Sequence, residues 1–554
     1  MTNKDLAEVM FPNVTKTIED YEKIYPERDL PEGAVVSRFA PSPTGFVHMG
    51  SLLSAFIESK VPRDTKGVFY LRIEDTDQKR EVENGIQGII DDLANFEIVP
   101  DVGVMSGTEE KGNYGPYIQT KRIEIYNTFA KWLVENDYAY PCFCTPEQLD
   151  EIRTYQEVKK QRIGYYGKHA ECRFLSNEER IKRIQAGEPY VVRLKSPGNF
   201  DRKVTVNDLV RGKVTFPEND IDQILIKSDG IPVYHFAHIV DDHLMRTTHV
   251  LRGEEWFPSV PLHLQLFEIF GFKAPKYAHL GLVMKIDEED GSRRKLSKRK
   301  DPEAAVSFYH EKGIPVEAVK LYLMTIANSN FEAWMDANKD KTIDDYSFDF
   351  KKMSDSGSLF DVGKLFNISK NYISRLKATE VYDNTLAWAK KYDTEFAELL
   401  EKYKDYATAI FNIEREQKKP RKDYSCYSDI KGQVWYMFDE LYNTSDKDYE
   451  FQVISDKEDI NNILSLYIDK YYDESDDKDT WFNKIKELSG ELGDAMEVKE
   501  YKENPNAYKG HVGDVSTVLR VALTSKSMTP DLYEIMRLLG KDRMSKRYNE
   551  FIGK

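Results

Sequence analysis

Two runs of alternating strand and helix, on either side of residues 114–230, constrain this chain more than any other feature. In the first, AVVSRFA (34–40) reads as a strand that must stop at Pro41 and Pro43. Proline donates no ladder hydrogen bond and restricts the residue before it. A helix then opens near Val47 and runs through Leu52, Ala55 and Phe56. GVFYLRI (67–73) is a second strand by its β-branched and aromatic content, and Val82, Ile86, Ile89, Leu93 and Phe96 follow at helical spacing. In the second run, IPVYHFAHIV (231–240) and VLRG (250–253) read as strands, followed by a helix over 258–271 and the strand YAHLGLVM (277–284). Such alternation builds a parallel sheet. The expectation is a multidomain α/β protein whose parallel sheet is split by an α+β insertion. A mostly helical, polar region follows from about 302, and an N-terminal extension with one helix precedes it over 1–33.

A length of 554 residues allows about three or four domains. With 40% hydrophobic and 31% charged residues the chain is globular, not collagen-like, mucin-like or wholly disordered. Its 79 Lys and Arg against 95 Asp and Glu give a net charge of −16. That argues against non-specific adhesion to nucleic acid or anionic membrane and leaves room for a local basic groove. Four cysteines are too few for a disulfide scaffold, which suggests a reducing compartment. The acidic N-terminus has no apolar stretch of the kind a secretory signal needs, and no segment approaches the length of a membrane span. A cytoplasmic location without a membrane partner is the expectation.

The string SRFAPSPTGFVHMGS (37–51) carries the first chemistry. A strand ends, two prolines fix an extended turn, Gly45 permits close backbone approach, and a helix N-terminus follows. Unpaired N–H groups and the positive end of the helix dipole suit phosphate there, with His48 and Ser51 on the first turn and Thr44 as a candidate cap. The string resembles the first signature of class I aminoacyl-tRNA synthetases, in particular that of the glutamyl-tRNA synthetase family, with His48-Met49-Gly50-Ser51 at the histidine–glycine element. RIEDTD (72–77) lies at the carboxyl end of the second strand, where ligands bind in open α/β sheets. VYHFAHIVDDH (233–243) and THVLRGEEW (248–256) hold Tyr234, His238 and Arg252. An anionic amino acid calls for an arginine fork in a desolvated pocket. RRKLSKRK (293–300) has six cations in eight residues and resembles the family's second signature. On a loop beside the nucleotide it would neutralise phosphate charge as pyrophosphate leaves.

The resemblance implies a Rossmann-like catalytic domain in two halves, 34–113 and 231–300. It also implies an inserted tRNA acceptor-binding domain at 114–230, a stem-contact helical domain at 301–370 and a helical anticodon-binding domain at 371–554. It implies His48, Lys295 and Lys298 as catalytic residues, and Gly45, His48, Gly50, Ser51, Lys295, Ser297 and Lys298 around ATP. Arg38, Ala40, Ser42, Glu74, Tyr234, His238 and Arg252 would surround glutamate, with Glu74 on its ammonium group. Many relatives have Asn where this chain has His238, whose charge beside glutamate would depend on pH. Taken alone, His235, His238 and His243 are structural histidines or metal ligands.

Cys142, Cys144 and Cys172 are candidate zinc ligands, with His169 or Tyr166 as a fourth; the alternative is free, partly buried thiols. Some members of the family carry zinc in this insertion and others do not. Two basic clusters, Lys159-Lys160-Gln161-Arg162 and Lys418-Lys419-Pro420-Arg421-Lys422 with Tyr424 and Tyr427 nearby, read as solvated faces or as contacts for an unpaired RNA loop. RMSKR (543–547) mimics the second signature but lies far from the sheet, and reads as a surface helix.

The implied function is a glutamate–tRNA ligase that uses ATP with Mg2+, passes through glutamyl-adenylate, and charges tRNA(Glu), with tRNA(Gln) as a second candidate. A monomer is expected. A glutaminyl enzyme would show Pro-Glu-Pro-Asn where this chain has Pro41-Ser42-Pro43-Thr44. The truncated enzyme that glutamylates a base in tRNA lacks the long helical half. A catalytically inactive tRNA-binding paralogue should have lost His48, Lys298 or an arginine, and all are present.

Overall fold

The computed structural model describes residues 1–45, 47–80, 82–297 and 299–553. They form two compact units: Met1–Phe308 with Lys320–Val362, and Tyr309–Val319 with Gly363–Lys554. In the first unit, strands Val36–Phe39, Val68–Leu71 and Val102–Val104 run parallel, with Arg38 beside Tyr70 and Leu71 beside Gly103. Strand His249–Gly253 runs parallel to Lys276–Leu280, with Arg252 beside His279. The two groups meet where the Thr248 N–H donates to the Val36 carbonyl at 3.0 Å and the Val36 N–H donates to Thr248 Oγ1 at 2.8 Å. Apart from this contact the two groups form separate sheets, and the second also takes in strands Lys203–Asp208 and Gly212–Pro217 of the insertion. The strands are buried on both faces, as in a sheet covered by helices.

Three sequence expectations need correction. IPVYHFAHIV is not a strand: Tyr234–Leu244 is a helix. Residues 236–242 are all buried, polar ones included, so the helix lacks the exposed polar stripe that would have revealed a 3.6-residue period. YAHLGLVM is not one strand. It breaks between Leu280 and Val283, and Val283–Ile286 joins another sheet with Arg293–Lys295 and Ser358–Leu359. Gly281 sits at the break, where a Cβ would lie 2.6 Å from Gly357 Cα. The extension holds two helices, Asn3–Met10 and Ile18–Ile24, each opened by a threonine capping box.

The insertion has its own three-stranded antiparallel sheet, Ala139–Cys142, Val191–Leu194 and Ile224–Ile226. The second unit is helical around one core that includes Val381, Phe396, Ile430, Leu464, Leu519 and Met544. No helix among the described residues is long and apolar enough to cross a membrane.

Candidate active site

The turn after the first strand builds the site's floor. His48, not Thr44, caps helix Met49–Thr65: its Nδ1 accepts the Ser51 N–H at 3.0 Å. That hydrogen bond places the neutral ring's proton on Nε2. Gly50 is glycine for a local reason, since a Cβ there would lie 3.2 Å from the His48 ring. A cavity of 680 Å3 opens over this turn and the strand ends. Arg38, Ala40, Ser42, Gly45, His48, Gly50, Ser51, Glu74, Tyr234, Arg252, Lys295 and Ser297 all line it. Residues chosen from five separated strings thus converge on one hollow. Lys298 lies outside the described residues.

His238 does not join that lining. It is fully buried behind Tyr234, with the two rings stacked at 5.6 Å and 8°. Its Nδ1 lies 2.6 Å from Asp242 Oδ2, and its Nε2 is 3.2 Å from the Tyr277 hydroxyl. Burial drives its pKa down to about 3 against the pull of Asp242, so the expected pH-dependent charge beside the substrate is corrected to a neutral imidazole. His243 lies elsewhere, paired with Glu22 of the extension and stacked on Phe272.

The two cavity arginines differ. Arg38 Nε donates to Asp242 Oδ1 at 3.2 Å, Nη1 donates to the Leu251 carbonyl at 3.2 Å, and Glu58 lies 3.9 Å away. Arg72, fully buried beneath, donates to Asp242 at 2.7 Å and to Glu74 at 2.9 Å. Burial pushes the Asp242 carboxyl up, but Arg38 and Arg72 overcome it and hold it well below the usual range. Glu74 is raised by burial, with Arg72 and Arg38 opposing. Arg252 has only neutral partners: His279 Nε2 at 3.0 Å, the Tyr234 hydroxyl at 3.0 Å and His263 Nδ1 at 3.1 Å. It forms no ion pair among the described residues, although it is only 6% exposed.

The second basic string is less free than its composition suggests. Arg294 is held by Asp301 through two hydrogen bonds of 2.6 and 2.8 Å and by Asp287 at 2.6 Å. Asp301 also accepts the Ser297 N–H at 2.9 Å, so this pair shapes the loop and leaves Lys295 and Ser297 facing the cavity. The look-alike string at 543–547 is corrected from surface helix to partial core. Met544 and Arg547 are buried, and Arg547 donates to the Tyr436 carbonyl at 2.7 Å.

In the insertion, the sulfurs of Cys142, Cys144 and Cys172 lie within 4.8 Å of one another. The fourth donor expected from sequence is corrected. Tyr166 donates to the Arg162 carbonyl at 2.6 Å and His169 contacts Gln161. The Tyr165 hydroxyl instead sits 3.2 Å from Cys144 Sγ and 3.5 Å from Cys142 Sγ. Tyr165 faces inward and Tyr166 outward, a difference that adjacent letters conceal. Hydrogen bonds from Cys144 and Cys172 hold the Cys142 thiol below its usual range.

The second unit has a separate cavity of 840 Å3. Arg375, Lys377, Arg415, Lys418, Lys419 and Lys422 line it, with Glu416 the one acid among its lining residues. Tyr424 and Tyr427 are buried rather than exposed beside it.

Comparison with known proteins is consistent with this geometry. A family model described as tRNA synthetases class I (E and Q), catalytic domain, matches residues 34–365, and an anticodon binding domain matches 395–552. A glutamate–tRNA ligase of Clostridium perfringens (strain SM101) is 48% identical over 553 residues, covering 100% of both chains. One of Acetivibrio thermocellus is 46% identical over 554 residues, again covering 100% of both. Among solved structures, a glutamate tRNA ligase from Elizabethkingia meningosepticum in complex with its amino acid superposes with a TM-score of 0.74. Its identity is 28%, covering 94% of this chain and 99% of that one.

Proposed function

This chain belongs to the class I tRNA synthetases, among the glutamate–tRNA ligases, and from that premise we propose how its cavity performs the ligation. The reaction joins L-glutamate to tRNA(Glu) and converts ATP to AMP and pyrophosphate. An oxygen of the glutamate α-carboxylate attacks the α-phosphorus of ATP and pyrophosphate leaves. A ribose hydroxyl of the terminal adenosine then attacks the activated carbonyl and AMP leaves. No side-chain nucleophile is required, so catalysis comes from placement and charge stabilisation.

The observation that carries the residue assignment is Arg252, a nearly buried guanidinium with only neutral partners among the described residues. A buried charge without a counter-ion is costly, and an anionic ligand removes that cost. Arg252 with Tyr234 takes the γ-carboxylate. Glu74 takes the ammonium group, and Arg38, already shared with Asp242, lies on the α-carboxylate side. His48, Gly50 and Ser51 face the phosphates from the helix N-terminus, and Lys295 and Ser297 face them from the loop. Magnesium enters with the triphosphate. The insertion at 114–230 holds the acceptor end, 301–370 contacts the stem, and the basic cavity of the second unit takes unpaired anticodon nucleotides.

Arg252→Ala should lower kcat/KM for glutamate about a thousandfold, on the order of 4 kcal/mol, and that for glutamine far less. Specificity constants for both amino acids, measured with tRNA present, test this. Equal losses would place the discrimination elsewhere.

Three clustered thiols and a phenol suit zinc, which Cys142, Cys144, Cys172 and Tyr165 would hold. When bound, zinc would tie the loop after strand Ala139–Cys142 to the segment around Cys172. Elemental analysis of protein purified without chelator should find about one zinc per chain. Cys172→Ser should remove it and lower the thermal midpoint, while metal-free protein of unchanged stability would dismiss the site.

A further inference from the structure

Arg252 is anchored without being neutralised. A guanidinium offers five N–H donors and no acceptor, and the usual partner for a buried one is a carboxylate, which cancels the charge as it fixes the geometry. Here two imidazoles anchor it. Hydrogen bonding fixes the tautomer of each. His279 Nδ1 lies 2.7 Å from Asp208 Oδ2, and a carboxylate only accepts, so the proton is on Nδ1 and the bare Nε2 faces Arg252 Nε at 3.0 Å. On the other side, Arg252 Nη2 donates to His263 Nδ1 at 3.1 Å, which leaves the His263 proton on Nε2, directed to His235 Nδ1 at 2.9 Å. Both rings are fully buried. Asp208 is itself held, accepting the backbone N–H groups of Val210, Arg211 and His279 at 3.0, 2.9 and 3.1 Å. Burial keeps both imidazoles below the usual histidine range, His279 despite the opposing pull of Asp208.

We propose that His263 and His279 are positioning residues for substrate selection. These two neutral acceptors aim the Arg252 guanidinium at the substrate's side-chain carboxylate and leave its full charge for that carboxylate. The inference rests on the assignment of Arg252 to the γ-carboxylate. Neither histidine lines the cavity; both act through Arg252. They come from helix Val260–Phe270 and strand Lys276–Leu280, and the anchoring Asp208 ends strand Lys203–Asp208. Three separate elements thus converge on one side chain. A carboxylate in place of either imidazole would hold Arg252 as firmly but would compete with glutamate for its charge.

The test uses the full chain with saturating tRNA(Glu). It measures KM and kcat for glutamate, kcat/KM for glutamine, KM for ATP, and the thermal midpoint of each variant. His263→Leu and His279→Leu should each raise the glutamate KM about tenfold or more and shrink the preference for glutamate over glutamine by a similar factor. The ATP KM should stay within about twofold. His263→Asn returns an acceptor to the Nδ1 position, and His279→Gln returns one to the Nε2 position; both should recover most of the loss. Should a leucine variant fail to fold, His263→Gln, with its carbonyl at the wrong ring position, should lose selectivity where His263→Asn retains it. Equal losses for glutamate and glutamine, or no difference between the rescuing and non-rescuing variants, would reduce the pair to a structural role and overturn the proposal. Arg252→Ala measured alongside separates the two levels. If it leaves the glutamate preference intact, the carboxylate assignment is wrong. If it abolishes the preference while the histidine variants keep it, only the positioning role is wrong.

Discussion

Arg38 and Arg252 stand on neighbouring strands of two sheets, both nearly buried and both lining the same cavity, yet their surroundings differ in kind. Arg38 belongs to a network of opposite charges with Asp242, Arg72 and Glu74 beside it and Glu58 close by. Arg252 is held by a phenol and two neutral imidazoles. Burying an ion costs several kcal/mol, which a well-placed counter-ion offsets. On the Arg38 side the protein supplies that counter-ion, so the charges contribute to stability in the free chain. On the Arg252 side the proposed assignment has the substrate supply it, so that the charge would contribute to binding. One cavity therefore contains a structural cation and a ligand-seeking one, distinguished by their partners rather than by residue type.

The largest stability effect should come from the shared anion. Asp242→Asn leaves Arg38 and Arg72 without their common carboxylate and should destabilise the free protein by about 3–5 kcal/mol, read as a lowered denaturation midpoint. Arg38→Ala should cost less, about 2–3 kcal/mol, because Asp242 keeps Arg72. Arg252→Ala removes a cation with no counter-ion among the described residues and should leave the midpoint of the free protein within about 1 kcal/mol of the parent. Thermal denaturation of the three variants without ligands makes the comparison. If Arg38→Ala and Arg252→Ala lost stability alike, the division into structural and ligand-seeking charge would fail.

The two sides were unequally legible in the sequence. The string at 37–51 was legible in its strand end, proline turn and helix start, but not in its cap, which is His48 rather than Thr44. Arg252 and Tyr234 could be chosen as a clamp, since an anion calls for a fork and a hydroxyl. Their supports could not. His263 lies within an apolar helix and His279 within a buried strand, and nothing in their spacing says that both face one arginine. Asp242 had a readable signal, four residues after His238 on one helix face, but the uninterrupted burial of 236–242 made that helix look like a strand. The string at 543–547 shows the converse. Its letters fit the second signature, but Met544 is packed in the core and Arg547 holds a backbone carbonyl, so packing explains the residues that spelling would assign to ATP.

A pH-dependent effect concerns Glu58, the edge of the charged network. It is 2% exposed; Oε1 lies 3.3 Å from Ser54 Oγ and 3.9 Å from Arg38 Nη1, and Oε2 is buried with no hydrogen-bond partner. A full negative charge in that setting would be poorly compensated, and burial pushes its pKa up from 4.5 to about 8 despite the pull of Arg38. Between those two values the unfolded chain releases the proton that the folded chain keeps. The unfolded state then binds fewer protons, so stability falls as pH rises through this window. Glu58→Gln preserves the shape in a form that does not titrate. The variant should match the parent near pH 4.5 and become more stable than it by roughly 1–3 kcal/mol at pH 8 and above. Denaturation midpoints of both proteins across that range provide the measurement. A gap that stays constant with pH would mean that Glu58 is ionised and paired with Arg38 at neutral pH. The structural side of the cavity would then hold one more full counter-charge, and its contrast with the Arg252 side would be sharper still.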